Sequence, residues 1–255
     1  MGARARRGRE AGIKIESVHV PIYCDSEAAK CGALLTLKTI RVGFPNTCIV
    51  IHLMGGREML VGDWNERTNY QVNIELPTTN DRIIKRLVES ESEGFAVVDS
   101  DMVFFENCED FEPSGLIAGE FIPEFVCPVA RAVTFSRLHT AFFVVSDPVK
   151  LRRAIDLSYR PAIPKFCPFD PFAPVVTFQG GVPHFHDSCS VLYHALHGYS
   201  ENFGADMLRR FVHMYGGSYV KNGEHADRIK AAYENPETAR GMRGIMTRYF
   251  EERKP

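Results

Sequence analysis

The chain has 255 residues, of which 45% are hydrophobic and 24% are charged, so it can bury one large core and has the composition of a folded globular protein. Its formal net charge of −2 argues against nucleic acid as the main partner, because nucleic-acid-binding domains normally carry a clear basic excess. No stretch of the sequence is apolar over the length that a transmembrane helix needs, so no membrane span is expected.

Four arginines at the amino terminus, Arg4, Arg6, Arg7 and Arg9, stand without the apolar stretch of a signal peptide. We interpret residues 1–16 as a disordered basic arm rather than a tether for nucleic acid or membrane. The seven cysteines are odd in number and form no Cys-x-x-Cys pair, which favours reduced thiols and a cytoplasmic location.

The first half of the chain alternates strand and helix patterns. Val18 to Ile22 predicts a strand, Ala28 to Ile40 has helical spacing, and Thr47 to Leu53 predicts a second strand. Strand, helix and strand in this order predict a βαβ unit and therefore a parallel sheet. A helix from Asn80 to Ser90 then leads into the apolar run of residues 95–98.

The pattern becomes more mixed in the second half. Proline-rich residues 161–174 predict a long loop of the kind that often forms a lid or a substrate wall. The remaining predicted elements are strands at 115–120 and 141–145, helices at 147–157 and 188–196, and one or two helices at 227–250. Residues 212–219 are expected to contain an apolar strand that ends in a turn at Gly216-Gly217.

The most informative segment is the apolar run 95–98, which ends in Asp99-Ser100-Asp101. If this run is a buried strand, both aspartates lie at its carboxyl end, where open α/β sheets bind ligands. An Asp-x-Asp triplet alone is a weak signal, but carboxylates at the mouth of an apolar strand are costly unless they are paired or bind a cation. Mg²⁺ and Mn²⁺ prefer such oxygen ligands, commonly completed by substrate phosphates.

A βαβ start, a helix, a strand ending in Asp-Ser-Asp, and a later His-Met-Tyr-Gly-Gly-Ser at residues 213–218 occur in that order. Over residues 17–220 this layout resembles the metal-dependent nucleotide-sugar glycosyltransferases of the GT-A fold. The resemblance implies an α/β, GT-A-like (Rossmann-like) single domain whose mixed, mostly parallel sheet is flanked by helices. It also implies a nucleotide-binding half at 17–110, an acceptor half at 111–220 and carboxy-terminal helices at 221–255.

By the same resemblance, Asp99, Asp101 and His213 would bind Mn²⁺ or Mg²⁺. Asp101 would coordinate the cation directly, while Asp99 and the adjacent Ser100 would lie against the ribose or a metal-bound water. A hydrogen-bonded core histidine is the alternative interpretation of His213.

Nucleotide contacts follow from the resemblance as well. Tyr23 would stack on the base and Asp25 would hydrogen-bond it, although a strand end followed by a helix cap explains the same pair equally well. The backbone amides of Gly216 and Gly217 would approach phosphate. Arg82, Lys85 and Arg86 could face a diphosphate or simply form a solvated helix face.

Two carboxylates are candidates for contact with the acceptor or for general base. Asp187, in Pro183-His184-Phe185-His186-Asp187, is the first candidate, with a helix N-cap as its alternative role. Glu120 is the second, together with Glu124, against ordinary surface acids. A base is needed for inverting transfer but not for retaining transfer, so the stereochemistry stays open.

The expected function is transfer of a sugar from a nucleotide donor, expected to be a UDP-sugar, to an acceptor hydroxyl. A metal-dependent hydrolase or oxygenase using His184, His186 and Asp187, with Cys189, is an alternative, although their spacing fits no established metal motif. Nucleotidyl transfer and a catalytically silent binding module are further alternatives. The sequence leaves the donor sugar, the acceptor and the oligomeric state open.

Overall fold

The computed structural model describes residues 14–24, 26–55, 70–76, 78–127, 132–162, 170–179, 181–214 and 224–243. The strands are β1 Ser17–Tyr23, β2 Cys48–Gly55, β3 Gln71–Ile74, β4 Phe95–Val98, β5 Met102–Phe104, β6 Ile117–Ile122, β7 Phe125–Cys127, β8 Ala132–Thr134, β9 Arg137–Val145, β10 Val175–Gln179, β11 Val182–His186, β12 Ser200–Asn202 and β13 Phe211–His213. The α-helices are α1 Glu27–Gly43, α2 Asn80–Ser90, α3 Pro148–Ala162, α4 Ser190–Ala195, α5 Ala205–Arg209 and α6 Glu224–Glu234, with 3₁₀ turns at His197–Tyr199 and Pro236–Gly241.

A seven-stranded sheet in the order β12-β6-β9-β4-β1-β2-β3 forms the centre of the fold. Its strands run parallel except for β9, which is antiparallel to both of its neighbours, β4 and β6. The predicted βαβ unit is β1-α1-β2, in register from Ser17 opposite Cys48. The expected mixed, mostly parallel α/β sheet is therefore confirmed.

Both faces of this sheet are buried, which explains why its central strands are apolar runs rather than alternating patterns. Along β4, Ala96 and Val98 join the core cluster that includes α1, while Phe95 and Val97 join the cluster that includes α2, α3 and α4. All four residues are fully buried. Burial on both faces leaves the strand ends as the places where a ligand can reach the sheet.

Two smaller sheets accompany the large one. A four-stranded sheet has the order β10-β11-β8-β7, and a two-stranded antiparallel sheet joins β13 to β5. In the two-stranded sheet Phe211 is opposite Phe104 and His213 is opposite Met102. This short ladder brings a segment more than a hundred residues later in the chain next to the Asp-Ser-Asp turn.

Several predicted boundaries were wrong. Strand β9 begins at Arg137 rather than at residue 141, because residues 137–140 contain polar side chains that hide the strand pattern. Helix α3 continues to Ala162, and α4 begins at Ser190 because Cys189 has a left-handed backbone with φ 61°. Ile15, placed in the disordered arm, is buried in the core, and the Glu16 amide donates to the Gly94 carbonyl at 2.8 Å.

Part of the predicted proline-rich loop, residues 163–169, lies outside the described residues, as do 215–219 of the predicted strand and 244–250 of the predicted carboxy-terminal helices. Among the helices that the structure describes, none combines the length and apolarity needed to span a bilayer.

A candidate metal centre at the carboxyl edge of the sheet

Asp99, Asp101 and His213 converge at the carboxyl edge of the parallel strands. His213 Nε2 lies 2.9 Å from Asp101 Oδ1 and 3.7 Å from Asp99 Oδ2. One ligand atom from each of the three residues lies within 4.8 Å of the others, and within the described ranges no other group of His, Cys, Asp and Glu meets this condition. These three residues are called the acidic cluster below.

Backbone hydrogen bonds fix the cluster on three elements. Asp99 follows β4, and its amide donates to the Ala141 carbonyl of β9 at 2.7 Å. The Met214 amide donates to the Asp101 carbonyl at 3.0 Å, which extends the β13–β5 ladder to the cluster itself. The three ligands are therefore held by sheet hydrogen bonds rather than by a free loop.

Helix α1 packs against the backbone of residues 100–102, which carries Asp101. Thr36 Oγ1 donates to the Met102 carbonyl and accepts from the Met102 amide, both at 2.9 Å. Gly32 lets the helix approach closely, because a Cβ at this position would lie 3.3 Å from the Ser100 carbonyl oxygen and 3.4 Å from Asp101 Cβ. A side chain at residue 32 would press on the turn that carries both aspartates.

Burial and nearby charges shift the pKa values of two members of the acidic cluster, Asp99 and His213. Burial, and then the nearby Asp101 carboxylate, raises the pKa of Asp99 to about 7, although His213 and a hydrogen bond from Asn80 oppose the shift. For His213, burial lowers the pKa but the two carboxylates outweigh it, so the net pKa is raised. Each shift shows that the site favours added positive charge.

This donor set fits a divalent cation. Two carboxylates suit Mn²⁺ and Mg²⁺, and the imidazole nitrogen favours a transition metal such as Mn²⁺ over Mg²⁺. A dication would also supply the positive charge that the raised pKa of Asp99 indicates. Asp99, Asp101 and His213 are therefore the residues that could hold a metal.

Two further residues lie beside the cluster. The His139 ring, on β9, is centred 4.9 Å from the His213 ring, and burial lowers its pKa well below the usual value, so it is neutral. Glu120 lies at an irregularity in the pairing of β6 with β9. Burial raises the pKa of Glu120, and the opposing effects of Arg243 and His213 place it in the electrostatic range of the cluster.

Asp187 is held by Arg137 and does not cap a helix. Its Oδ2 pairs with Arg137 Nη2 at 2.7 Å, and its Oδ1 accepts from the Ser188 amide at 2.8 Å. The N-cap of α4 is Cys189, with no side-chain cap bond. The alternative prediction of an N-cap was therefore wrong, and both carboxylate oxygens of Asp187 already accept hydrogen bonds.

His184 and His186 do not form the alternative metal site within the described part of the chain. Their rings pack on Phe135, at centroid distances of 5.3 and 4.2 Å. Cys189 is fully buried, and burial raises its thiol pKa well above the usual value. No observation in these residues favours a hydrolase or oxygenase centre.

The remaining predicted residues fall into three groups. Tyr23 ends β1 with 49% of its surface exposed, and Ser100 lies in the turn between the two aspartates. Lys85 and Arg86 are engaged elsewhere, in ion pairs with Asp170 at 2.6 Å and with Glu75 at 2.7 Å. Three predicted residues lie outside the described residues: Asp25, Gly216 and Gly217.

Sequence reasoning missed His139 and Arg137, which the structure places beside the predicted residues. Both lie at the start of β9, beside the irregularity in its pairing with β6. The available signal was the apolar Leu138 between two polar residues, shortly before the apolar run 141–145.

A second polar network, built around the buried His19 and His52, lies on the α2 side of the sheet. His19 Nε2 contacts Ser17 Oγ at 3.0 Å, and His19 Nδ1 contacts His52 Nε2 at 2.9 Å. His52 Nδ1 contacts Glu75 Oε1 at 2.5 Å, and Glu75 pairs with Arg86. Since the Glu75 carboxylate only accepts, His52 Nδ1 must donate to it, so His19 Nδ1 donates to His52 and Ser17 donates to His19. These five residues are called the histidine network below.

The sequence matches no protein-family model and no curated protein. Similar solved structures include the glycosyltransferase GlyE of Streptococcus pneumoniae, at 9% identity and a TM-score of 0.43 over 95% of this chain and 65% of that one. They also include the bifunctional glycosyltransferase WbbM, at 8% identity and 0.48 over 87% of this chain and 50% of that one. A third is the galactosyltransferase LgtC with donor and acceptor sugar analogues, at 9% identity and 0.44 over 86% and 95% of the two chains.

The synthase of 4-diphosphocytidyl-2C-methyl-D-erythritol from Anaerococcus prevotii is similar as well, at 11% identity and a TM-score of 0.46 over 87% of this chain and 99% of that one. The chain spans 65% of the length of GlyE and 50% of the length of WbbM. At these identities and TM-scores, similarity to the four structures carries no argument about function. The function must therefore be inferred from the residues of the site itself.

Proposed function

We propose that the protein is a glycosyltransferase that moves a sugar from a nucleotide donor, a UDP-sugar, to an acceptor hydroxyl. The acidic cluster carries this proposal. Asp99, Asp101 and His213 bring two carboxylates and an imidazole together at the carboxyl edge of a mostly parallel sheet, where such folds bind nucleotides. A bound dication supplies Lewis-acid neutralisation of the diphosphate leaving group.

The residues of the chain have separate roles in this proposal. Asp101 and His213 would bind the cation, and the 2.9 Å contact between Asp101 Oδ1 and His213 Nε2 keeps the two side chains close together. Asp99 accepts a hydrogen bond from Asn80 through Oδ1, so its Oδ2 is the atom that would contact the ribose or a metal-bound water. Tyr23, exposed at the end of β1, offers its ring to the base, with Asp25 as a hydrogen-bonding neighbour in the sequence. Ser100, Gly216 and Gly217 keep their proposed roles at the nucleotide and its phosphates.

Glu120 is the better candidate for general base. Its raised pKa brings the carboxylate closer to the proton affinity that deprotonation of a hydroxyl needs. Both oxygens of Asp187 are occupied by Arg137 and the Ser188 amide, so Asp187 is better suited to contact an acceptor or to orient Arg137. A base at Glu120 would make the transfer inverting.

Calorimetric titration with UDP in the presence and absence of Mn²⁺ tests the nucleotide site. We expect binding that depends on the metal, followed by slow hydrolysis of one donor in a panel of nucleotide sugars. Pyrophosphate release from a nucleoside triphosphate would instead indicate nucleotidyl transfer, and binding of UDP without any turnover would indicate a silent module. UDP binding that is equal with and without metal would contradict the proposal.

Glu120→Gln tests the assignment of the base. We expect transfer to an acceptor to fall by about 100-fold or more, because proton abstraction is lost, while UDP–Mn²⁺ binding stays within about twofold. Glu124→Gln is the matched control and should change neither quantity. Equal losses in Glu120→Gln and Glu124→Gln would contradict the role of Glu120.

A further inference from the structure

Asp99 is the most exposed member of the acidic cluster. Its side chain is 24% exposed, whereas the side chains of Asp101 and His213 are 6% and 8% exposed. Asp99 Oδ2 lies 3.7 Å from His213 Nε2, beyond hydrogen-bonding distance, while Asp101 Oδ1 lies 2.9 Å from the same nitrogen. Neither burial nor His213 therefore fixes the Asp99 carboxylate as firmly as it fixes Asp101.

Asn80 supplies the missing contact. Its side-chain Nδ2 donates to Asp99 Oδ1, and this is the one side-chain hydrogen bond to Asp99 within the part of the chain that the structure describes. The orientation of the carboxylate therefore depends on Asn80.

Packing holds the donor and the acceptor in place. Asn80 is the first residue of α2, an 11-residue helix whose buried side chains include Ile83 and Leu87. These side chains share a core cluster with Val97 of β4, the strand that ends just before Asp99. The hydrogen bond between Asn80 and Asp99 therefore joins two elements that already pack together.

This hydrogen bond divides the two oxygens of Asp99 between different neighbours. Oδ1 faces Asn80, and Oδ2 faces His213. Bidentate binding requires both oxygens of a carboxylate to face one cation, so the contact with Asn80 leaves only Oδ2 for a cation or a metal-bound water.

Dications differ in how much they gain from a second carboxylate oxygen. Ca²⁺ takes roughly 6–8 oxygen ligands and binds carboxylates through one or both oxygens. An octahedral shell with fewer ligands suits Mn²⁺, which also accepts an imidazole nitrogen more readily than Ca²⁺ does. Restricting Asp99 to one oxygen therefore disfavours Ca²⁺ more than Mn²⁺.

We propose that Asn80 is a positioning residue that keeps Asp99 in one-oxygen contact and thereby favours Mn²⁺ over Ca²⁺ at the acidic cluster. The proposal rests on the glycosyltransferase function proposed above, in which the cluster binds the dication of the nucleotide donor. It adds to that function a residue that does not bind the metal itself and a property that this residue controls, the selectivity between two dications.

Calorimetric titrations with Mn²⁺ alone and with Ca²⁺ alone test this role in the unmodified protein and in Asn80→Ala. In the variant the Asp99 carboxylate can turn both oxygens toward the cation. We expect Mn²⁺ affinity to fall by about tenfold, as is typical when a contact that orients a ligand is removed, and Ca²⁺ affinity not to fall. The ratio of Mn²⁺ to Ca²⁺ affinity should therefore decrease by about tenfold or more. An unchanged ratio would overturn the proposal, including one that results from equal losses for both metals, because general loosening of the site weakens both alike.

Asn46→Ala is the matched control. Asn46 Nδ2 also donates to a carboxylate oxygen, Glu109 Oε2, at 3.1 Å, but neither residue belongs to the acidic cluster. Its removal should leave both metal affinities unchanged, and thermal melting should show that both alanine variants are folded. A change of the ratio in Asn46→Ala equal to that in Asn80→Ala would also overturn the proposal.

A double-mutant cycle shows whether Asn80 acts through Asp99. In an Asp99→Asn background, Asn80→Ala should change the ratio of Mn²⁺ to Ca²⁺ affinity by less than about twofold, because the carboxylate that Asn80 orients is no longer present. An effect of Asn80→Ala as large in this background as in the unmodified protein would show that Asn80 acts independently of Asp99, and would overturn the proposal.

Titration with UDP separates the role of Asn80 from the proposed function. Mn²⁺-dependent UDP binding, together with a metal selectivity that Asn80→Ala leaves unchanged, would overturn only the role of Asn80. An unmodified protein that binds neither Mn²⁺ nor UDP would overturn both.

Discussion

The acidic cluster and the histidine network are both polar and partly buried, but the pKa of a carboxylate is raised in the first and lowered in the second. In the histidine network, the Glu75 carboxylate is matched by the Arg86 guanidinium, and both nitrogens of the His19 ring have partners. Burial lowers the pKa of His19 to about 3, so this ring stays neutral. In the acidic cluster, two carboxylates share one imidazole, and the pKa of Asp99 rises to about 7.

This difference separates a structural network from a ligand site. A network whose donors and acceptors are matched within the protein stabilises the fold and gains nothing from a ligand. A cluster in which burial raises the pKa of a carboxylate has an electrostatic cost that a bound cation would remove. Stability measurements should therefore respond to changes in the network, and metal binding should respond to changes in the cluster.

The largest expected effect is on metal-dependent UDP binding. Asp101→Asn removes a ligand and a negative charge while keeping the side-chain shape, and we expect UDP affinity in the presence of Mn²⁺ to fall by about 100-fold or more. Glu75→Gln, an acid-to-amide change in the histidine network, should leave that affinity unchanged. Calorimetric titration measures the UDP affinity of both variants. Equal losses of affinity would show that the histidine network contributes to metal-dependent UDP binding as much as the acidic cluster does.

The next effect is on stability. His52→Ala leaves His19 and Glu75 without their central partner and opens a cavity, so we expect the free energy of unfolding to fall by about 3 kcal/mol. Denaturant unfolding measures this loss. Metal-dependent UDP binding by the folded fraction should not change, and a loss of affinity would show that the network also serves the site.

The cluster should make the metal-free protein less stable at high pH. Because the pKa of Asp99 in the folded state is raised to about 7, its stabilising effect is present below the unfolded-state pKa near 4 and is lost as pH rises through 7. The raised pKa of His213 acts in the same direction. At pH 8, without metal, Asp99→Asn should therefore be more stable than the unmodified protein by about 1 kcal/mol or more.

Thermal melting at pH 5 and pH 8 checks this sign. Addition of Mn²⁺ at pH 8 should stabilise the unmodified protein more than Asp99→Asn, because the cation offsets the Asp99 carboxylate only where that carboxylate is present. An unmodified protein that is more stable than Asp99→Asn at pH 8 without metal would contradict the raised pKa of Asp99.

The smallest expected effect comes from the Thr36 side chain, which holds the Met102 backbone next to Asp101. Thr36→Val removes both hydrogen bonds to the Met102 backbone, so we expect a loss of about 1–2 kcal/mol in stability and a decrease of less than about tenfold in metal affinity. Thr36→Ser keeps the hydroxyl and serves as the control. Full metal affinity in Thr36→Val would show that the β13–β5 ladder alone positions Asp101.

The parts of the site that could be predicted from the sequence are those with local signals. The apolar run 95–98 ends at Asp99 because a doubly covered strand must be apolar up to the sheet edge, so both the strand and the position of Asp101 were predictable. His213 was a candidate because the resemblance to GT-A glycosyltransferases implies a metal-binding histidine late in the catalytic domain. Its contact with Asp101 at 2.9 Å depends on the antiparallel pairing of two three-residue strands, which have almost no sequence signature.

The polar start of β9 shows why the rest was not predictable. Arg137 and His139 interrupt the apolar pattern, and their importance arises from partners that are distant in sequence: Asp187 for the arginine and His213 for the histidine. The irregularity that places Glu120 in the range of His213 is likewise a product of pairing between β6 and β9. Tertiary pairing, rather than local propensity, assembles the half of the site beyond the two aspartates.

The ladder between β5 and β13 also makes the acidic cluster a product of late chain assembly. Asp99 and Asp101 emerge from the ribosome more than a hundred residues before His213, whose ladder with Met102 is one of the longest-range pairings in the fold. A nascent or truncated chain that ends before β13 has the two aspartates but lacks the imidazole. Under the proposed function, tight manganese binding would therefore mark molecules in which β13 has paired with β5.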